Sequence, residues 1–338
     1  MDATVEPILV HHEWGKLKEV VVGYPHFRIS HHVPLNLKNW QSEQTFAFMQ
    51  QWGRDFGGKA LQESDPTLYR QSVEQIDAAV RLLKDRGIVV HQVKPLEPGE
   101  DQYLENLLEG SNQYYPRDPI LVIGNTFIEM PMYLPSRRKE RFAIRRTIAD
   151  RLANSNARIV SAPEPFPQPE SAKGEYGAGP FLEGGDVFVL GYDIYVGNTG
   201  NASNTAGIRW LQSCLGDHYR VHEVRMSKNF LHLDCALCTP RPGLAIVCRA
   251  AFPEGLPAFL ENWQLIEVSH EDAEKKLACN GLVLDDKTIL IASELPELAR
   301  QLREAGQTVL TTPFSAVFWI GGSFRCWHHP LVRESQLS

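Results

Sequence analysis

Asp118-Pro119-Ile120-Leu121-Val122-Ile123-Gly124-Asn125-Thr126-Phe127-Ile128-Glu129 sets a carboxylate just ahead of two apolar, β-prone runs joined by a Gly-Asn turn. That is the composition and turn chemistry of a β-hairpin. The same design recurs down the chain. Asp186 precedes Val187-Phe188-Val189-Leu190, a turn at Gly191-Tyr192-Asp193, and Ile194-Tyr195-Val196. Asp234 precedes Cys235-Ala236-Leu237-Cys238, a Pro-rich turn through Gly243, and Leu244-Ala245-Ile246-Val247. Asn280 precedes Gly281-Leu282-Val283-Leu284, a turn at Asp285-Asp286-Lys287, and Thr288-Ile289-Leu290-Ile291. Self-similarity at such a spacing marks a repeat-built fold. Helices are expected between the hairpins at roughly 67–86, 137–153, 205–215, 271–278 and 295–305. Counting an opening strand that ends at Gly23 and a closing one near Cys326, the sequence reads as about five α/β units in a single domain over residues 1–338.

Units arranged around an axis would bring equivalent strand starts together. Asp118, Asp186, Asp234, Asn280 and Cys326 would then share one pocket. Each aspartate alone reads equally as a cap or turn former, but matching phases in an apolar repeat are hard to explain by capping. Cys326 follows the Gly321-Gly322 pair and stands beside Arg325, where a thiolate could be stabilised; the bland alternative is a small apolar residue in the last strand. In His232-Leu233-Asp234, the strand period of two puts imidazole and carboxylate on one face, a general acid/base with a supporting anion or a buried hydrogen-bonded histidine. The glycines of Glu183-Gly184-Gly185-Asp186 allow close backbone approach and leave Asp186 at the rim.

Composition narrows the function classes. The 338 residues are 43% hydrophobic, enough for a large core, and the net charge of −7 argues against a nucleic-acid or anionic-membrane surface. Cysteines 214, 235, 238, 248, 279 and 326 lack framework spacing, and Met1-Asp2-Ala3-Thr4-Val5-Glu6 has neither a basic nor an apolar leader region, so a reducing compartment, the cytoplasm, is expected. No apolar run reaches the roughly 18 residues of a membrane span. Cys235 and Cys238 lack the second ligand pair of a zinc site, and neither a metal nor a cofactor is expected. Gly197-Asn198-Thr199-Gly200-Asn201 lacks the order of a phosphate loop. Residues 27–62 show no clear period and read as irregular surface or a lid; His328-His329 and Arg137-Arg138-Lys139-Glu140-Arg141 read as solvated surface.

A thiol, an imidazole and convergent carboxylates together suit a planar cation with forked donors, a guanidinium, which carboxylates grip by charge-assisted hydrogen bonds. The cysteine would attack the central carbon and the histidine would protonate the departing amine. Carboxylates raise a thiol's pKa, so the bound cation or a protonated His232 must help form the thiolate.

The ordered motifs Pro116-Arg117-Asp118, Glu129-Met130-Pro131-Met132 with the following Ser136-Arg137-Arg138 to Arg145-Arg146 segment, Gly185-Asp186, His232-Leu233-Asp234 and Gly321-Gly322-Ser323-Phe324-Arg325-Cys326-Trp327 resemble those of the guanidine-modifying (pentein) superfamily. The resemblance runs from about Trp14 to His329 and is greatest to the glycine and inosamine-phosphate amidinotransferases. It implies a five-bladed, pseudo-fivefold α/β propeller with its site on the central axis. It implies Cys326 as nucleophile, His232 as general acid/base, Asp186 as the carboxylate working with that histidine, and Asp118 and Asp234 as further carboxylates of the pocket. Asn280 joins them as a substrate-binding residue, and Arg249 is the nearest match to a carboxylate-binding arginine. The implied reaction moves an amidino group from arginine or a related guanidine to an acceptor amine through a covalent amidino-cysteine. The alternative is a guanidine hydrolase with water as acceptor, since Glu183-Gly184-Gly185-Asp186 has the form typical of arginine deiminases and dimethylargininases. A binding protein without turnover is the reading of another class. Partners are a small-molecule guanidine donor and amine acceptor, and the chain is compatible with a homodimer.

Overall fold

The computed structural model describes residues 6–334. Five three-stranded sheets follow one plan. In each, an antiparallel pair is extended by a parallel third strand. Ile120–Ile123 pairs with Thr126–Glu129, and Arg158–Ser161 adds in parallel. The Gly124-Asn125 turn closes that hairpin with Gly124 at φ 54°, the left-handed conformation glycine adopts without strain. Val187–Leu190, Asp193–Asn198 and Arg220–Arg225 repeat the plan. So do Leu237–Arg241, Leu244–Val247 and Gln264–Glu267, then Leu282–Asp285, Thr288–Ala292 and Thr308–Thr312.

The fifth sheet joins the chain's two ends. Leu17–Val22 pairs antiparallel with His328–Arg333 and parallel with Val89–Gln92. The opening and closing strands of the sequence reading are therefore one unit, and the strand that follows Cys326 latches onto the first strand of the fold.

Burial explains the composition of the runs. All eight residues of Ile120–Ile123 and Thr126–Glu129 are buried, whereas the parallel strand Arg158–Ser161 is mostly exposed. Strands covered on both faces need continuous apolar runs, which is why the hairpins stand out in the sequence and the outer strands do not. Helices between units cover the remaining apolar faces. Pro66–Lys84 is capped by Asp65, whose carboxylate accepts from the Leu68 N–H at 2.9 Å, and it buries Ile76, Ala79, Val80 and Leu83. Among the described residues, no helix is long and apolar enough to cross a membrane.

Two local expectations change. Residues 27–62 are not irregular: they hold a 14-residue helix, Glu43–Phe56, capped by Ser42, whose side chain accepts from the Thr45 N–H. Its buried stripe is thin, with Phe46 and Gly53 alone fully covered, so no strong period marks it in sequence. Trp52 of this helix packs against Phe27 and Trp319, with ring centres 6.2 Å and 5.0 Å away, holding the segment against the fold. Cys235 also lies outside a strand. Leu233–Cys235 forms a tight 3-10 turn and the strand begins at Leu237, so His232 and Asp234 do not share a strand face.

Candidate active site

Cys326 sits in a single helical turn, Phe324–Trp327, two residues before the latch strand. Gly321, at φ 87°, makes the bend. A Cβ on Gly322 would lie 2.4 Å from the Tyr115 ring, so only glycine lets the loop pass. One amide side chain then fixes the cysteine. Asn280 Oδ1 accepts from the backbone N–H of Ser323 and of Cys326, both at 3.1 Å. Its Nδ2 donates to the Asp234 carbonyl at 3.1 Å and to Cys326 Sγ at 3.2 Å. Asn280 thus positions the nucleophile's loop and is not among the residues lining the cleft above it.

The other strand-start residues meet here in two groups. Asp234 Oδ2 lies 3.5 Å from Cys326 Sγ and accepts from Arg325 Nη1 at 3.1 Å. Arg325 also pairs with Glu13 at 3.2 Å and lies 3.9 Å over the Phe188 ring, so its charge is spent beneath the cysteine rather than on it. Burial, reinforced by the charges of Asp234 and Asp118, holds the Cys326 thiol well above its ordinary pKa. The resting sulfur is a thiol.

The second group surrounds His232. Its Nε2 is 2.8 Å from Glu183 Oε2 and its Nδ1 3.8 Å from Asp118 Oδ1. The supporting anion is therefore Glu183, not Asp234. Gly185 makes room for the group, since a Cβ there would lie 2.6 Å from His232 Nδ1 and 2.8 Å from Asp118 Oδ1. Asp186 stands behind. Its Oδ1 accepts from the Leu233 N–H at 3.0 Å and its Oδ2 from the Ser203 N–H at 3.2 Å, which fixes the turn carrying His232, and it does not line the cleft. Burial pushes its pKa up to about 7.

Arg137 is the residue the sequence reading missed. Its Nη1 donates to Asp118 Oδ2 at 2.9 Å, its Nε and Nη2 grip Glu140 at 2.8 and 2.9 Å, and it lies 3.9 Å from Glu183. The basic run is not solvated surface: Arg138 and Lys139 are fully buried. Arg138 donates to the carbonyls of Met132, Tyr133 and Pro165, and Lys139 pairs with Asp101 and Glu105. Charge alone suggests water, but each cation has a partner from another part of the chain. His328 and His329 are likewise buried, not exposed, and burial beside Arg117 pushes both pKa values well down. Asp118, Glu183 and His232 have ligand atoms within 4.8 Å of one another, a spacing that would suit a metal, but an imidazole held protonated by these carboxylates offers a metal no lone pair.

Arg249 is not in the pocket. It lies in a surface 3-10 turn, half-exposed, paired with Glu267 at 2.7 Å, and is absent from the cleft lining. The turn after the Leu244–Val247 strand carries it outward. Arg249→Ala is expected to leave kcat/KM within about twofold, as for surface changes far from a site; steady-state kinetics check this.

Burial acts to lower the pKa of His232, but Asp118, Glu183 and Asp186 outweigh it and raise the pKa to about 10. The imidazole is therefore protonated at neutral pH. With a folded pKa above the unfolded value of about 6.5, its contribution to stability is full below pH ~6.5 and is lost as pH rises through about 10. His232→Gln is expected to lower stability at pH 7 and to flatten the decline between pH 7 and 10, read from denaturant midpoints. An unchanged slope would show that other groups carry it.

Cys326, His232, Asp118, Glu183 and Arg137 open into a single cleft of about 190 Å³. Its outer wall comes from the 27–62 segment through Phe27, Arg28, Leu37, Trp40 and Met49.

Comparison with known proteins agrees with this architecture. The family model described as N,N dimethylarginine dimethylhydrolase, eukaryotic, matches residues 44–333. Mitochondrial glycine amidinotransferase of Gallus gallus is 25% identical, over 98% of this chain and 84% of that protein. Inosamine-phosphate amidinotransferase 1 of Streptomyces griseus is 26% identical, over 94% and 95%. The solved structure of an amidinotransferase of the saxitoxin biosynthetic pathway from Microseira wollei superposes with a TM-score of 0.79 over 98% of this chain and 99% of that one; at 22% identity it bears on the fold. Along nearly its whole length the chain is similar to glycine and inosamine-phosphate amidinotransferases, and by its family model it belongs to the N,N dimethylarginine dimethylhydrolase family.

Proposed function

We propose that this protein is an amidinotransferase that carries the amidino group of a guanidine on Cys326 and passes it to an amine. The observation that carries this reading is one cleft in which a buried thiol faces an imidazolium flanked by Asp118 and Glu183. Such a set binds a guanidinium through paired charge-assisted hydrogen bonds. The cation's arrival lowers the thiol pKa, and the thiol proton passes to water in the open cleft. The thiolate then attacks the central carbon, the carbon–nitrogen bond to the alkyl amine breaks, and His232 delivers a proton to the departing nitrogen. An acceptor amine reverses the sequence: it attacks the amidino carbon, loses its proton to the imidazole, and the carbon–sulfur bond breaks.

The six cysteines are all free, which supports a reducing compartment, the cytoplasm in our reading. The family model's description favours a second reading, a hydrolase in which water completes the second half. One assay separates the two. Given a guanidine donor alone, the protein is expected to release about one equivalent of the parent amine per site, and to turn over and form a new guanidino product only when an acceptor amine is supplied. Full-rate conversion of arginine without acceptor, either to ornithine and urea or to citrulline and ammonia, would overturn the transferase reading.

A further inference from the structure

A second, small cavity of about 10 Å³ is lined by Glu13, Arg117, Thr239, Arg325, His328 and Arg333, every one of them buried, and it shares no residue with the cleft. That volume admits one water molecule or one monatomic ion. Its charges do not balance. Three guanidinium groups face one carboxylate, Glu13, and Arg325 takes that carboxylate at 3.2 Å. Arg325 has Asp234 as well, at 3.1 Å.

Arg117 and Arg333 have no carboxylate ion pair among the described residues. Arg117 donates to the Arg325 carbonyl and to His328 Nε2, both at 3.3 Å, and Arg333 to the carbonyls of Gly15 and Val283 at 2.6 and 2.9 Å. His328 brings no charge, because burial holds its pKa well down, and Asp285 acts on Arg333 only from beyond ion-pair distance. Burial pushes the pKa of Arg117 down to about 9 and that of Arg333 to about 10, with the Arg325 charge adding to both, so each keeps its proton at neutral pH. Two donors in the same lining also lack a hydrogen-bond partner among the described residues: Arg333 Nε and Thr239 Oγ1. A buried donor without an acceptor is costly, and a buried charge without a counter-charge is costlier. A water molecule would satisfy the donors and leave the surplus charge. A monatomic anion answers both, and a carboxylate or phosphate is too large.

We infer that this cavity is a binding site for one monatomic anion of the chloride class, held by Arg117, Arg333 and the Thr239 hydroxyl. Arg333 ends the latch strand His328–Arg333 and Thr239 lies in the strand Leu237–Arg241, so the anion fastens the closing strand to a separate sheet. The site is independent of the amidinotransferase reading. Replacing sodium gluconate by sodium chloride at constant ionic strength isolates it, because gluconate screens equally and cannot enter. The Tm of the full-length protein should rise along a saturating curve, by about 3 °C once chloride is roughly tenfold above its Kd. Thr239→Val removes the hydroxyl at nearly constant volume and should move the midpoint about tenfold or more to higher chloride, the worth of a hydrogen bond to a charged partner, while Thr239→Ser should stay within about threefold of the parent. Crystals soaked in bromide should show an anomalous-scattering peak between Arg117, Arg333 and Thr239. Equal Tm in the two salts, a Thr239→Val midpoint equal to the parent's, or soaked crystals without the peak would leave the cavity to water and overturn the inference.

Discussion

Cys326→Ala should abolish turnover, with kcat falling at least about four orders of magnitude, the scale at which removing a nucleophile acts when the remaining groups have no covalent route. The fold should survive. Sγ makes its hydrogen bond to Asn280 Nδ2 alone, apart from the weak contact with Asp234, and the loop is held by Asn280 Oδ1 on the backbone N–H groups of Ser323 and Cys326, which alanine keeps. The truncated atom is small, so the stability cost should be about 1–2 kcal/mol. Thermal unfolding measures the fold, and intact mass after incubation with donor should show an adduct on the parent protein and none on the variant. Retained turnover would remove Cys326 from the mechanism.

His232→Ala has the second largest expected effect, a loss in kcat of roughly two to four orders of magnitude, the range of general acid–base contributions. By rate theory that is about 3–5 kcal/mol of barrier. The loss should fall on kcat rather than KM. Asp118 keeps its bond to Arg137, and Glu183 still accepts from the Tyr133 N–H at 2.9 Å, so the carboxylates that would grip a guanidinium stay in place. The rate should be partly restored for a donor whose leaving group is a weaker base and needs no proton. A variant that raised KM alone would make His232 a binding group.

Much of this design was legible before any coordinates. Asp118, Asp186, Asp234, Asn280 and Cys326 each stand one to three residues before a buried strand. That phase survives in the sequence because strands covered on both faces must be apolar, which leaves the polar residue ahead of them conspicuous. Cys326 and His232 could be singled out because few residue types perform their chemistry.

Arg137 and Glu183 were harder to read. Arg137 sits in a basic run whose solvation or burial depends on whether acids elsewhere approach it. Those acids, Asp118, Glu140, Asp101 and Glu105, come from several segments, and only folding assembles them with Arg137 and its neighbours. Glu183 could be quoted with its glycines, but its partnership with His232 spans 49 residues and replaces the nearer pairing with Asp234. A strand period would have put His232 and Asp234 together; a 3-10 turn separates them, and such a turn leaves no periodic trace.

The sequence by itself determined the repeat, the apolar hairpins, the polar residue ahead of each, and the thiol and imidazole that could act there, because local propensity and burial write themselves as periodic patterns. Tertiary structure alone decided which carboxylate serves which cation, that Asn280 holds the cysteine loop while Asp186 holds the histidine's turn, and that Arg249 faces solvent. Charge pairing acts through space, and its partners are chosen only when distant segments meet.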